Sequence, residues 1–98
     1  MNMVKFQGKK VLLLMHYRSM EDVELEKTKR ICIVRECHTD KIVLEDAESG
    51  YRFPIPPVYT AIQPIDSSYQ WKLGEFGERA LGVNLVMALV VKMQFSLS

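Results

Sequence analysis

The sequence has few of the residues that build metal sites or redox sites. It contains two cysteines, Cys32 and Cys37, and two histidines, His16 and His38. A structural zinc site usually needs cysteine or histidine pairs about two to four residues apart, with a second pair downstream. Here Cys37 and His38 are adjacent, and the other two side chains stand apart from them. We therefore expect no metal ion and no cofactor.

The motifs of the common enzyme classes are also missing. The chain has no G-x-S-x-G nucleophile elbow, no G-x-G-x-x-G fingerprint and no phosphate loop of the form G-x-x-x-x-G-K-[ST]. Glu45 and Asp46 are consecutive, so within a strand they project to opposite faces and cannot act as an acid–base pair. We predict that the protein is not an enzyme, and we assign no catalytic residue.

No apolar run is long enough to cross a membrane. The longest apolar stretch, residues 85–91, is far shorter than the ~20 residues of a spanning helix. The opening segment MNMVKFQGKK has no apolar run before its lysines, so it does not resemble a signal peptide. Cys32 and Cys37 would face opposite sides of a straight strand, ~16 Å apart, whereas a disulfide needs Cα atoms within about 7 Å. Free thiols fit a reducing compartment, and we expect a cytoplasmic protein without membrane contact.

The chain also lacks an excess of charge of one sign. Its formal net charge is +1, which gives no long-range attraction to nucleic acid or to a membrane surface. With 98 residues, 48% of them hydrophobic, it has the size and composition of one globular domain. We predict a single domain over 1–98, with a barrel-like core over 1–66 and a C-terminal hairpin over 67–98.

The strongest positive signal is an alternation near the C-terminal end. Every odd-numbered residue from Leu81 to Leu97 is apolar, and a period of two indicates a strand with one buried face. The pattern predicts a strand over 83–97, with a helix over 76–91 as the alternative. A strand of ~16 residues would be ~53 Å long, longer than so small a domain, so it must bend or project.

Turn signals divide the rest of the chain into further strands. We predict strands over 10–18, 23–37, 42–46, 51–53, 60–65 and 69–73, while the prolines of 54–57 exclude a central strand there. From residue 10 to residue 65 the order of elements resembles small SH3-like or Sm-like barrels, although no family motif is matched residue by residue. The predicted fold is all-β: a small barrel or sandwich of about five or six strands with a long C-terminal hairpin.

A projecting strand with an apolar face cannot remain exposed to water. We therefore predict an assembly or protein-interaction module that uses the C-terminal strand to form a homo-oligomer or to dock on another protein. The predicted interface residues are Met87, Leu89, Val91, Met93, Phe95 and Leu97.

The alternative function is binding of RNA or single-stranded DNA by a small β-barrel. Its basis is a group of basic residues with aromatic side chains that could stack on bases. Glu24, Glu26 and Glu36 interleave with this group and would repel phosphate, and such mixed charge also opposes pairing at a sheet edge. The residues of this basic-aromatic face are Lys27, Lys29, Arg30, Arg35, Tyr51 and Phe53.

Overall fold

The computed structural model describes residues 3–93, which form strands joined by turns and short helical segments. The strands are β1 (Lys10–Ser19), β2 (Glu24–Cys37), β3 (Ile42–Asp46), β4 (Arg52–Ile55), β5 (Ile62–Pro64) and β6 (Leu85–Met93). The helical segments are the short helix α1 (Gln70–Gly74) and 3₁₀ turns at Met3–Phe6, Tyr59–Ala61, Ser67–Tyr69 and Gly77–Ala80. The described part of the chain is therefore mostly β, as the alternating pattern predicted.

The strands form one mixed, six-stranded sheet in the order β4-β3-β2-β1-β6-β5. Consecutive strands from β1 to β4 pair antiparallel. By contrast, β6 lies parallel to β1 on one side and antiparallel to β5 on the other. The sheet ends at β4 and β5, and within residues 3–93 it does not close into the predicted barrel.

Side chains alternate between two faces of the sheet, and each face has its own apolar cluster. On the first, here called the core face, the buried residues are Phe6, Val11, Leu13, Cys32, Val34, Ile42, Leu44, Ile55, Tyr59, Ile62, Met87 and Leu89. On the second, the helix face, they are Leu12, Leu14, Ile31, Val83 and Val86. Leu12 and Leu13 point to opposite faces and are both fully buried, because β1 has a neighbour on each side and a cluster on each face.

The predicted strand at 69–73 and the C-terminal hairpin containing it are wrong for the described residues. This segment forms successive short helical turns, and β6 pairs with β1 and β5 instead. Asp66 begins the turns as an N-cap, and its side chain accepts a hydrogen bond from the Ser68 backbone N–H at 2.9 Å. Tyr69, Leu73 and Phe76 pack on the helix face. Their spacing of four and three residues suits one side of a helix.

The predicted C-terminal strand is confirmed over Leu85–Met93, whereas residues 83–84 precede the strand. The alternative helix over 76–91 is absent, since the only helical element in that region is the 3₁₀ turn Gly77–Ala80 and β6 begins at Leu85. The alternation has its expected cause: Met87 packs on the core face, whereas Val86 packs on the helix face. Residues 94–97 of the predicted strand lie outside the described residues.

Leu13 offers a direct test of the buried centre of the sheet. Leu13→Ala should lower the free energy of unfolding by about 2–5 kcal/mol, because it removes methyl groups from a closed site between β2 and β6. Leu81→Ala is the matched control, since Leu81 is 70% exposed and should change stability by no more than about 0.5 kcal/mol. Equilibrium urea unfolding measures both. Equal effects of the two substitutions would contradict the assigned core.

Candidate functional site

Besides residues 35–37 of β2, which extend beyond β1, four stretches of strand have an unpaired edge among the described residues. They are the two terminal strands β4 and β5, residues 24–30 of β2, which extend beyond β3, and residues 88–93 of β6, which extend beyond β5. An unpaired edge presents backbone N–H and C=O groups that can pair with another strand. These four edges are therefore the places where the sheet could be extended by a partner.

Three of the four edges carry residues that oppose such pairing. β4 contains Pro54 and β5 contains Pro64, and a proline has no N–H to donate. The open part of β2 reads ELEKTKR, with charges of both signs. By contrast, the open stretch 88–93, here called the β6 edge, has no proline and a single charge at Lys92. The ammonium of Lys92 lies 2.5 Å from an Asp22 carboxylate oxygen, so this charge is already paired.

The direction of the backbone groups on the β6 edge follows from the pairing with β5. The N–H of Ile65 donates to the C=O of Asn84 at 2.8 Å, so the backbone groups of Asn84 point toward β5. Alternate residues of a strand point these groups to the same side. Ala88, Val90 and Lys92 therefore direct their N–H and C=O groups outward, beyond the end of β5. The odd-numbered residues of β6 point theirs toward β1.

Apolar side chains flank this edge on both faces of the sheet. Val90 is 61% exposed on the helix face. On the core face, Met93 is 40% exposed and Val91 is half-buried. Further exposed apolar side chains, Met20, Val23 and Leu25, lie in the β1–β2 turn and at the start of β2, which β1 separates from this edge. A strand paired with the β6 edge would therefore meet apolar surface as well as free backbone groups.

The predicted interface residues divide between the chain's own core and this edge. Met87 and Leu89 are buried in the core cluster, because this part of β6 is packed beside β1, so neither side chain forms an exposed surface. Val91 and Met93 lie on the β6 edge, whereas Phe95 and Leu97 lie outside the described residues. Sequence reasoning missed Val90, because it assigned the partner-binding face to the odd-numbered positions alone.

A second candidate surface is a groove of about 420 Å³ on the helix face, beside α1. Leu14 and His16 of β1 form its base, and lysines of β2 and α1 supply positive charge at its sides. Its lining residues are Leu14, His16, Lys27, Thr28, Lys29, Trp71 and Lys72. The register places Val90 next to His16, so the groove borders the uncovered part of β6.

Trp71 stands in this groove near lysines of two different elements. The Nζ atom of Lys29 lies 5.6 Å from the centre of the indole ring, and that of Lys72 lies 5.3 Å from it. These distances fit cation–π attraction. Lys29 also forms an ion pair with Glu75, and Lys27 forms one with Glu24 at 3.2 Å. Because both ion pairs are largely exposed to solvent, they hold the lysines only weakly.

The predicted basic-aromatic face is not one surface. Lys27 and Lys29 line the groove. Elsewhere, the Arg30 guanidinium lies 5.9 Å from the Phe53 ring, and Phe53 stacks on Tyr51 with ring centres 6.2 Å apart. The sequence analysis also missed Trp71 and Lys72, because it placed that segment in a strand.

Arg35, the last member of the predicted face, belongs to a surface ion cluster. Its Nη2 donates to Glu45 at 2.7 Å, and the Nε of Arg52 donates to the same carboxylate at 3.0 Å. These two hydrogen bonds hold the pKa of the Glu45 carboxyl below its usual range. The guanidinium of Arg35 is therefore already occupied by a carboxylate.

Both cysteines lie on the core face, although the sequence analysis placed them on opposite faces. The register between β2 and β3 shifts between Val34 and Glu36. This β-bulge inserts one residue and turns the following side chains over. Both thiols are free, as predicted. Burial raises the pKa of Cys32 to about 12 and also raises that of the half-buried Cys37, so neither has the thiolate character of a nucleophile.

In comparisons with known proteins, no family model matches the chain, and no match is found among curated proteins or solved structures. Within residues 3–93, no helix is both long enough and apolar enough to cross a bilayer. In the same range, His, Cys, Asp and Glu side chains nowhere gather in a group of three or more that could hold a metal ion.

The two thiols should differ in their reactivity. In the folded protein at about pH 8, iodoacetamide should modify Cys37 slowly and leave Cys32 untouched, because the thiolate is the reacting form and Cys32 is fully buried. In denaturant both should react. Peptide mass spectrometry over time measures the two sites. Modification of Cys32 at the rate of Cys37 in native buffer would contradict the assigned burial.

The Glu45 ion cluster should make stability depend on pH. A carboxyl whose pKa is lowered by folding stabilises the fold above its ordinary pKa of about 4.3, and this contribution is lost as pH falls through the folded-state pKa. Wild type should therefore melt at a higher temperature than Glu45→Gln at neutral pH, and the difference should vanish in acid. Glu78→Gln, at an exposed position, is the control. Equal melting of wild type and Glu45→Gln at neutral pH would refute this role.

Proposed function

We propose that this protein is a non-enzymatic assembly module whose copies join through the β6 edge. The observation that carries the proposal is the contrast among the four open edges of the described sheet. Pro54, Pro64 and the charged stretch 24–30 oppose pairing at three of them, whereas the fourth has no proline and only the single charge of Lys92, which is ion-paired with Asp22. Natural proteins commonly guard their exposed edges, so an edge left without such residues is the one expected to have a partner.

The occupant that fits this edge best is a second copy of the same chain. Antiparallel pairing of two β6 edges about a two-fold axis is self-complementary and closes as a dimer. A register centred on Val90 would set the outward N–H and C=O groups of the two copies against each other. It would also place the small Ala88 of one copy opposite the long Lys92 of the other.

Burial and charge both favour this pairing. Covering one side chain such as Val90 or Met93 contributes on the order of 1.5–3 kcal/mol. In a dimer such a side chain is buried in each copy. The two contributions together offset part of the roughly 4–15 kcal/mol of free energy that association costs in lost translational and rotational entropy. The net charge of +1 leaves little repulsion between copies. The likeness to SH3-like or Sm-like modules and a cytoplasmic location remain predictions, and neither is needed for the proposal.

Proline substitution at two neighbouring positions tests the edge. Val90→Pro removes an N–H that points outward, so assembly should be lost while the melting temperature changes little. Val91→Pro removes an N–H that points toward β1, so it should destabilise the fold itself. Val90→Lys keeps every backbone group and should also weaken assembly, because it brings like charges together at the two-fold axis.

Sedimentation equilibrium from about 1 to 100 µM measures the outcome, since 100 µM would populate even a weak dimer. Wild type should show a mass that is a multiple of 11.3 kDa, and Val90→Pro should show the monomer mass. A monomeric wild type across this range would overturn the proposal. Unchanged assembly in both Val90 variants would show that the interface lies elsewhere than at the β6 edge.

A further inference from the structure

The single tryptophan of the chain is exposed, whereas other residues of the same helical segment are packed. Trp71 is 63% exposed, whereas Tyr69 and Leu73 of the same helical segment pack on the cluster of the helix face. Trp71 therefore contributes little to the core. The short turns from Ser67 onward instead hold its indole ring at the wall of the groove, where one side chain combines a large apolar surface with access to solvent.

Lysines from two elements lie near this ring. Lys27 and Lys29 lie two residues apart on β2, on the same face of the sheet, and Lys72 lies on α1. Lys29 and Lys72 reach the ring itself. Among the described residues, no carboxylate lies within ion-pair distance of Lys72, and the Glu partners of the other two lysines are themselves exposed. A ligand with several negative charges can displace such exposed partners.

We propose that this groove binds single-stranded nucleic acid, with a base stacked on Trp71 and the adjoining phosphates held by Lys27, Lys29 and Lys72. A flat aromatic platform beside cations is the arrangement that single-strand binding proteins use without reading a particular sequence. The groove is open to solvent and has the volume of a small ligand site, so a strand can enter with one base and continue past it.

An acidic peptide satisfies these observations less well. It would supply carboxylates for the lysines, but its backbone offers no flat ring for the exposed indole. A duplex would keep its bases stacked within the helix and could not present one to Trp71. The net charge of +1 also limits general attraction to polyanions. Binding should therefore depend on this groove and not on overall charge. The groove lies within one chain, so the inference does not rest on assembly through the β6 edge.

The tryptophan itself reports binding. Titration with an oligo-deoxythymidine of about eight nucleotides should quench the intrinsic fluorescence, because the only indole of the chain lies in the site. The affinity should fall with salt, with a slope of log K against log salt of about −2 for three phosphate contacts to a single strand. Thymidine monophosphate and a glutamate-rich peptide are titrated in parallel.

Variants are compared by the anisotropy of a fluorescein-labelled form of the same oligonucleotide. Trp71→Ala should weaken binding roughly 5- to 150-fold, the range expected for loss of one stacked base, whereas Trp71→Phe should retain most of it. Lys72→Gln should weaken binding and make the salt slope less steep. Lys41→Gln makes the same charge change in the exposed turn before β3, far from the groove lining, and should have no effect beyond a small general one. Thermal melts check that each variant is folded.

Two results support the inference together: salt-dependent quenching by the oligonucleotide, and selective loss of binding in Trp71→Ala and Lys72→Gln. Absence of any signal at about 100 µM protein would overturn it, as would unchanged binding in folded Trp71→Ala. If the monophosphate binds as tightly as the oligonucleotide, the occupant is a free nucleotide and the single-strand proposal is wrong. If the peptide binds as tightly, the site is one for acidic peptides.

Discussion

The parallel pairing of β1 with β6 is the constraint on which the rest of the structure depends. It brings the first long strand next to the last, from Val11 opposite Leu85 to Ser19 opposite Met93. β1 thereby gains a neighbour on each side, and Leu12 and Leu13 can both be fully buried. The pairing also carries β6 beyond β5, which has only three residues. One strand is therefore part of the core over its first half and an open edge over its second.

The connection between β5 and β6 accounts for the groove. β5 and β6 are antiparallel neighbours that a tight hairpin could join. The chain between them instead forms a run of short helical turns that cover part of the helix face. Tyr69, Leu73 and Phe76 of these turns pack on the helix face. The turns do not reach over His16, Lys27 and Lys29, so the far halves of β1 and β2 remain open beside Trp71. The open edge therefore follows from the shortness of β5, and the groove follows from the connection between β5 and β6.

Features that depend on local pattern could be predicted from the sequence, whereas those that depend on distant pairing could not. Nine apolar residues at alternate positions correctly indicated the β6 strand, because a period of two depends only on the strand itself. The five residues from Tyr69 to Leu73 also alternate, but their cluster partners are Leu12 and Val86 of distant strands, and so short a pattern fits a helical turn as well. The bulge at Arg35 places both cysteines on one face of the sheet, and it likewise arises from pairing with β3. For the candidate sites, the sequence indicated Val91, Met93, Lys27 and Lys29, while Val90, Trp71 and Lys72 required the fold.

Amide hydrogen exchange along β6, measured by NMR at low and high protein concentration, tests the role of the β6 edge most directly. In dilute protein, the amides of Leu89 and Val91 should be protected by β1, while those of Ala88, Val90 and Lys92 should exchange quickly. If copies join through this edge, the three even-numbered amides should become protected as the concentration rises, with little change at the odd-numbered ones. Fast exchange at Ala88, Val90 and Lys92 under conditions where the protein is oligomeric would contradict pairing through β6.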